Sequence, residues 1–293
     1  MSDERPTVRP VTLSRLVEVA HLCQNSPQTT ENVEQRLNVS HRRSRETILE
    51  ALRVGLLDEL PDAYYETTSV GDSFVEAVQI QDWNKVSVIL ETRSPHYGNF
   101  LEVLQQKGPG SLDMILNELE NQAEFTNYSY NQTSIEVLGN WGKCLGTVQR
   151  NAFTGEYYSP QNDKPPANFH HTLLSVYDEL EETAGVGMRQ RYLSIPEIRE
   201  TLCATLQLSR QAFNEALRDL AQENVGKLEL SGAPRDTGAK EANYGIKEIE
   251  LSDDDTLVST SQSTEQVMQG IEQYGKQYYY LTIHNRELTY TNQ

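Results

Sequence analysis

TTENVEQRLNVSHRRSRETILEALRVGLLDEL, residues Thr29–Leu60, carries the reading of this chain. A short helix opens near Thr30 with Val33 and Leu37 on one face, and Asn38-Val39 make a tight turn. Ser40 suits the cap of a second helix, because its hydroxyl can accept a hydrogen bond from a first-turn amide that has no partner within the helix. On that second helix Ile48, Leu49 and Leu52 point inward, while Arg42, Arg43 and Arg45 crowd the first turn. The chain as a whole holds 43 Asp and Glu against 25 Lys and Arg, a net charge of −18. A knot of arginines at one helix start runs against that background and needs a purpose.

Upstream, VTLSRLVEVAHLC (Val11–Cys23) sets Leu13, Leu16, Val17, Val19, Ala20 and Cys23 at helical spacing. Downstream, residues 64–68 suit a strand and 71–80 a helix, so residues 8–81 read as one domain. Residues 82–107 read as a connecting helical segment interrupted at Ser94-Pro95, since proline has no amide to donate and disfavours helix at the residue before it.

The same grammar recurs in residues 108–159. After Gly108-Pro109-Gly110 comes a helix with Leu112, Ile115, Leu116 and Leu119 on one face, then a second with Ile135, Leu138 and Leu145 inward, then a hairpin around Gly155. Residues 160–168 form a polar, proline-rich linker. A third domain, 169–286, has a helix from Phe169, a capping box of Ser194 and Glu197 with Pro196 in the first turn, and a Ser209-capped helix with Phe213, Leu217 and Leu220 inward. Its strands are GKLELSG (Gly226–Gly232) and QYYYLTI (Gln277–Ile283), where Tyr279 faces away from Tyr278 and Tyr280. Between them, about 232–275, lies an acidic excursion containing LSDDDTLVSTSQSTEQ (Leu251–Gln266), which reads as mobile loop. The three second helices start near Ser40, Tyr130 and Ser209, about 80 to 90 residues apart, a repetition of pattern without obvious identity.

Several classes fall away. No apolar run reaches the roughly 18 residues of a membrane span, and MSDERPTVRP (Met1–Pro10) lacks an apolar signal region, so a cytoplasmic protein with no membrane contact is expected. Cys23, Cys144 and Cys203 are odd in number and far apart, which suits buried free thiols in a reducing compartment. The six histidines do not fall at ligand spacing, and no metal or cofactor is expected. GxxxxGK[ST], GxGxxG, GxSxG, HExxH and CxxC are all absent, so no enzymatic activity is expected. The 17 Arg against 8 Lys, with abundant acids, resembles proteins of salt-loving archaea; an acidic regulator of an ordinary organism fits equally. High salt would weaken every phosphate contact.

The candidate chemistry differs between domains. In the first, Ser40, His41, Arg42, Arg43, Arg45 and Thr47 cluster where side chains of a helix can reach base edges, and guanidiniums can pair with guanine or clamp phosphates of double-stranded DNA. Residues 1–60 hold 8 bases against 9 acids, so such a face is local, and ordinary salt bridges to Glu31, Glu34, Glu46 and Glu50 compete with it. The second domain offers Asn131, Gln132, Thr133 and Ser134 but only Lys143 and Arg150 as bases between 110 and 160, which favours protein contact or scaffolding, with Trp141 in the core. In the third, Arg210, Asn214 and Arg218 align on one helix face beside Gln211, with Lys227 near the following strand, against 15 acids and 10 bases in 161–251; DNA and protein contact fit equally.

The order helix–helix–turn–helix–hairpin, best formed in RLNVSHRRSRETILEALRVGLL (Arg36–Leu57) and again in LQLSRQAFNEALRDLAQENVGKLELSG (Leu206–Gly232), resembles the winged-helix superfamily of DNA-binding domains. The resemblance implies a mainly α fold with small β-wings, three winged-helix domains in tandem. It also implies that the second helix of each motif enters the major groove while the wing contacts the backbone, with contacts from Arg42, Arg43, Arg45, Arg210, Gln211 and Asn214. The acidic charge and the base-poor middle domain depart from that pattern. Winged helices also serve as protein–protein modules, and fold alone does not choose. The expected function is a non-enzymatic DNA-binding regulator or recognition subunit; the alternative is an acidic adaptor that docks on a partner such as an ATPase or nuclease without touching DNA.

Overall fold

The Thr12 hydroxyl accepts a hydrogen bond from the Arg15 amide and so starts α1 (Leu13–Asn25). The same device, a small polar side chain taking an orphan first-turn amide, starts α2 (Thr30–Leu37) at Thr29 and α3 (His41–Arg53) at Ser40. Between α2 and α3, Asn38 turns the chain at φ 48°, a conformation that Asn adopts more readily than most residues. In this computed structural model, residues 6–124, 126–183, 192–232, 248–250, 256–258 and 267–290 are described. Among them the chain is mainly helical, with eleven α-helices and short strands. It divides into two units, Met1–Gln149 with Ile246–Ser261, and Arg150–Gly245 with Gln262–Gln293.

In the first unit α3 leads into an antiparallel hairpin, β1 (Leu57–Leu60) and β2 (Tyr64–Thr67), with Leu57 opposite Thr67 and Leu60 opposite Tyr64. Its tip turns through Asp62 and Ala63, both at positive φ, and Gln28 bridges to Tyr65 on the other side of β2. Then α4 (Ser69–Gln79) packs on α1. Gly71 permits this: a Cβ there would stand 2.2 Å from the Leu56 carbonyl oxygen. Leu16, Val19, Val33, Ile48, Leu56 and Phe74 close the core, whereas Leu49 and Leu52, expected inward, are half-buried. The inward stripe of α3 runs instead through Ser44, Thr47, Ile48 and Ala51.

Next come α5 (Trp83–Arg93), α6 (Pro95–Lys107), α7 (Leu112–Ala123) and α8 (Gln132–Leu145). Two expectations change here. Residues 82–107 are not a mere connector, and 108–159 do not stand as a domain of their own. The pair α7–α8 packs on α6, and α8 also on α5 and α1, all inside the first unit. Trp141 shows why: this fully buried indole donates to the Val11 carbonyl at 2.9 Å and lies against Tyr97, whose hydroxyl is 2.8 Å from Thr147. Two helices could not bury a side chain of that size from water, so they borrow α6 and the approach to α1.

The chain passes into the second unit along β3 (Gln149–Arg150), which pairs with β4 (Tyr157–Tyr158) through a turn where Gly155 has φ 75°. There follow α9 (Phe169–Thr183), β5 (Leu193–Ser194), α10 (Ile195–Leu206), α11 (Arg210–Glu223) and β6 (Leu228–Ser231). The expected box at Ser194 does not form: its side chain makes no cap, and its backbone is paired in β5 opposite Tyr280, while Pro196 does occupy the first turn.

Strands β7 (Glu248–Glu250) and β8 (Thr256–Val258) pair with each other and group with the first unit. Of the excursion expected to be mobile, 233–247, 251–255 and 259–266 lie outside the described residues. Its end is ordered: Val267 and Ile271 are buried, and β9 (Ile271–Gln273) makes a hairpin with β10 (Lys276–Tyr278). Finally β11 (Tyr280–Ile283) runs between β5 and β6, with Leu281 opposite Leu193 and Leu230, the long-range pairing read from the sequence. Phe169, Ile198, Leu202, Phe213, Leu217 and Leu281 fill the core beneath it. No described helix is long and apolar enough to cross a membrane. Cys23, Cys144 and Cys203 are free and buried.

Candidate nucleic-acid interface

The first turn of α3 splits its polar residues by face. The Ser40 hydroxyl caps the Arg43 amide at 3.4 Å. Thr47 is 5% exposed and donates its hydroxyl to the Arg43 carbonyl at 2.9 Å, so it leaves the candidate set. His41, Arg42, Arg43 and Arg45 point to solvent. Of the carboxylates weighed as their partners, Glu46 takes the Arg42 guanidinium at 3.2 Å and Glu34 takes His41 at 3.1 Å. With the Arg42 side chain 86% exposed, that pair is screened and weak. Glu31 instead closes the start of α2: its carboxyl is held below the ordinary range by its own amide and by the Thr29 hydroxyl. Arg43 and Arg45 have no ion pair among the described residues. Beside them a groove of about 550 Å³ opens between residues 10–12 and α3, lined by Arg15, Ser40, Arg42 and Arg43.

Glu50, the fourth carboxylate, is buried and serves another purpose. It pairs with Arg53 one turn on and with Arg9 at 3.5 Å, beneath the arginine-bearing face. Arg53 also donates to Nδ1 of His96 at 3.1 Å, and His96 Nε2 donates to the Pro6 carbonyl at 2.8 Å. The imidazole is therefore neutral, with Nδ1 accepting, and Tyr128 and Tyr130 meet it edge-on at 5.0 and 5.1 Å. Burial pushes its pKa down, and the Arg53 charge acts in the same sense against the opposing Pro6 bond. This network fixes the C-terminal half of α3. Apart from the Glu50–Arg53 pair within one turn, its bonds join residues 41 to 90 apart, which is why they are not legible in the sequence.

The hairpin beside α3 has the wrong sign for the role that the resemblance implies. Asp58, Glu59, Asp62 and Glu66 are all exposed on residues 57–67, a stretch without lysine or arginine. A hairpin of that charge repels phosphate, and the sequence carried the signal plainly.

On α8, Ser134 is buried, its hydroxyl accepting the Asn131 amide at 2.8 Å, while the Asn131 side chain caps the Ser134 amide. Gln132 lies 3.4 Å from Asp113, and Thr133 is exposed. On α11 most of the expected donors are engaged within the protein. Arg210 is 7% exposed and forms a two-bond pair with fully buried Glu200, both distances 2.6 Å, with a further bond to the Arg150 carbonyl at 2.7 Å. Asn214 accepts from buried Arg199 at 3.1 Å. Arg218 donates to the Glu272 carbonyl and Lys227 to the Glu287 carbonyl. Gln211 stays exposed, 3.0 Å from Glu215. The α11 site expected from the sequence is thereby corrected: Arg210 is a core residue.

Among the described residues no three His, Cys, Asp or Glu gather closely enough to hold a metal ion. No family model matches the chain, and no curated protein matches it.

Proposed function

We propose that this chain is a non-enzymatic DNA-binding protein that grips duplex through the first turn of α3, as a regulator or as the recognition subunit of a larger assembly. The element order supports a winged-helix reading made three times: α1–α3 with β1–β2, α6–α8 followed by β3–β4, and α9–α11 with β6 and β11. One observation carries the DNA reading: Arg42, Arg43 and Arg45 stand exposed at one helix start, next to a groove that Arg15 also lines. Two of the three are free of ion pairs among the described residues, so they can neutralise phosphate or fork onto a guanine edge without first breaking a bridge.

A duplex titration across a salt series tests it. Relative to wild type, the log–log slope of Arg42→Ala/Arg43→Ala/Arg45→Ala should be shallower by about 1 for each arginine that neutralises a phosphate. A binding constant indifferent to both salt and substitution would falsify the proposal. The acidic β1–β2 hairpin and the engaged donors of α11 favour a second reading, an adaptor that meets a protein partner.

A further inference from the structure

The β9–β10 hairpin turns on two residues, Tyr274 and Gly275, with Gln273 and Lys276 opposite each other at its base. Both turn residues have positive φ, 53° and 70°. Turns of this kind take Asn, Asp or Gly at the first position, and a bulky aromatic there is strained. Packing does not offset the strain, since Tyr274 is 81% exposed. Strain kept without a folding gain is characteristic of sites with a job. A second large apolar side chain, Val225, stands 84% exposed at the turn from α11 into β6. Between the two lies a groove of about 590 Å³ lined by Ala221, Val225, Leu230, Tyr274, Tyr278 and Glu229, with no lysine or arginine on its wall.

Charge names the occupant. Residues 150–293 hold 22 acids against 13 bases; of the described bases Arg199 and Arg210 are buried, Arg286 pairs with Asp178 and Glu181, Arg218 and Lys227 bond backbone carbonyls, and Lys164 and Lys276 are exposed. Among the described residues Glu229 on the wall pairs with His284 at 2.9 Å, and of the residues next to the wall in sequence Glu272 and Lys276 are exposed. Nucleic acid is repelled by such a surface, and a second copy of this chain would bring a net charge of the same sign, its α3 arginines apart. We propose that the groove docks a peptide segment of a partner protein in which an apolar side chain is flanked by lysine or arginine, with Tyr274 and Val225 closing on the apolar residue. The proposal stands apart from the role of α3.

Phage-displayed random short peptides panned on the full chain test it, with Tyr274→Asn as the counter-target. Asparagine is at ease ahead of Gly275, so this variant should melt no lower than wild type, which separates a docking defect from a folding defect. The enriched peptides should carry an apolar residue between basic ones. A labelled synthetic copy should bind about tenfold more weakly to Tyr274→Asn and to Val225→Ser, and equally to the Arg42/Arg43/Arg45 triple alanine variant. No enrichment over the variant, an acidic consensus, or equal affinity for Tyr274→Asn overturns the proposal. So does self-association of the wild type that Tyr274→Asn abolishes, which would make the occupant a second copy.

Discussion

Arg42 and Arg210 carry the same charge at the starts of two similar helices and have opposite fates. Arg210 falls on the stripe 210, 213, 217, 220 that Phe213, Leu217 and Leu220 carry into the core, so its charge requires Glu200. In the sequence Phe213, Leu217 and Leu220 read as inward but Arg210 falls on the 210, 214, 218 face, and there is no sign of the partner on α10. Arg210→Ala should cost about 3 to 5 kcal/mol, because it leaves a carboxylate buried without its cation. Urea unfolding reads this, and a midpoint that does not move would refute the burial described. Arg43→Ala, on the open face, should change stability by about 0.5 kcal/mol or less. His96 adds a pH dependence of known sign. Its folded pKa lies below the 6.5 of the free side chain, so as pH falls the unfolded chain takes up the proton first. Its contribution is whole above that value and is lost as pH drops through the folded one. Between about pH 7.5 and pH 5.5 the urea midpoint should fall more steeply for wild type than for His96→Gln, and parallel curves would remove His96 from the account.

The elements were legible where local chemistry decides them. Ser40 and Ser209 cap helices, Asn38 and Gly155 make turns, and Tyr280–Ile283 joins β6 across nearly fifty residues because both segments read as strands. What escaped was decided by packing at a distance. Pro95 looked like a break in a connector; it is the first residue of α6, where a missing amide costs nothing, and α6 supplies the third face that α7 and α8 need. Gly71 is the tightest such constraint, and Gly71→Ala should push α4 from the chain ahead of β1 and cost about 1 to 3 kcal/mol in thermal or urea unfolding. The β1–β2 hairpin decides between the two proposed functions. If duplex runs past it, Asp58→Asn/Glu59→Gln/Asp62→Asn/Glu66→Gln should tighten DNA binding, most of all at low salt. Unchanged affinity places the hairpin away from DNA and leaves it to a protein partner.

For the whole molecule, one small electropositive spot stands against a net charge of −18. Long-range attraction to DNA is therefore absent, and association should be slow and governed by close contacts, so the triple arginine variant should lose affinity mainly through faster dissociation. The distribution of thiols gives the two units separate voices. Cys23 and Cys144 belong to the first and Cys203 to the second, all three buried, and burial pushes the Cys23 thiol up to about 12 and that of Cys203 well above its ordinary value. A protonated, inaccessible sulfur does not react with aromatic disulfides until the structure around it opens. Two equivalents of label should thus report the opening of one unit and a single equivalent that of the other, so the native chain is its own clock for which half comes apart first.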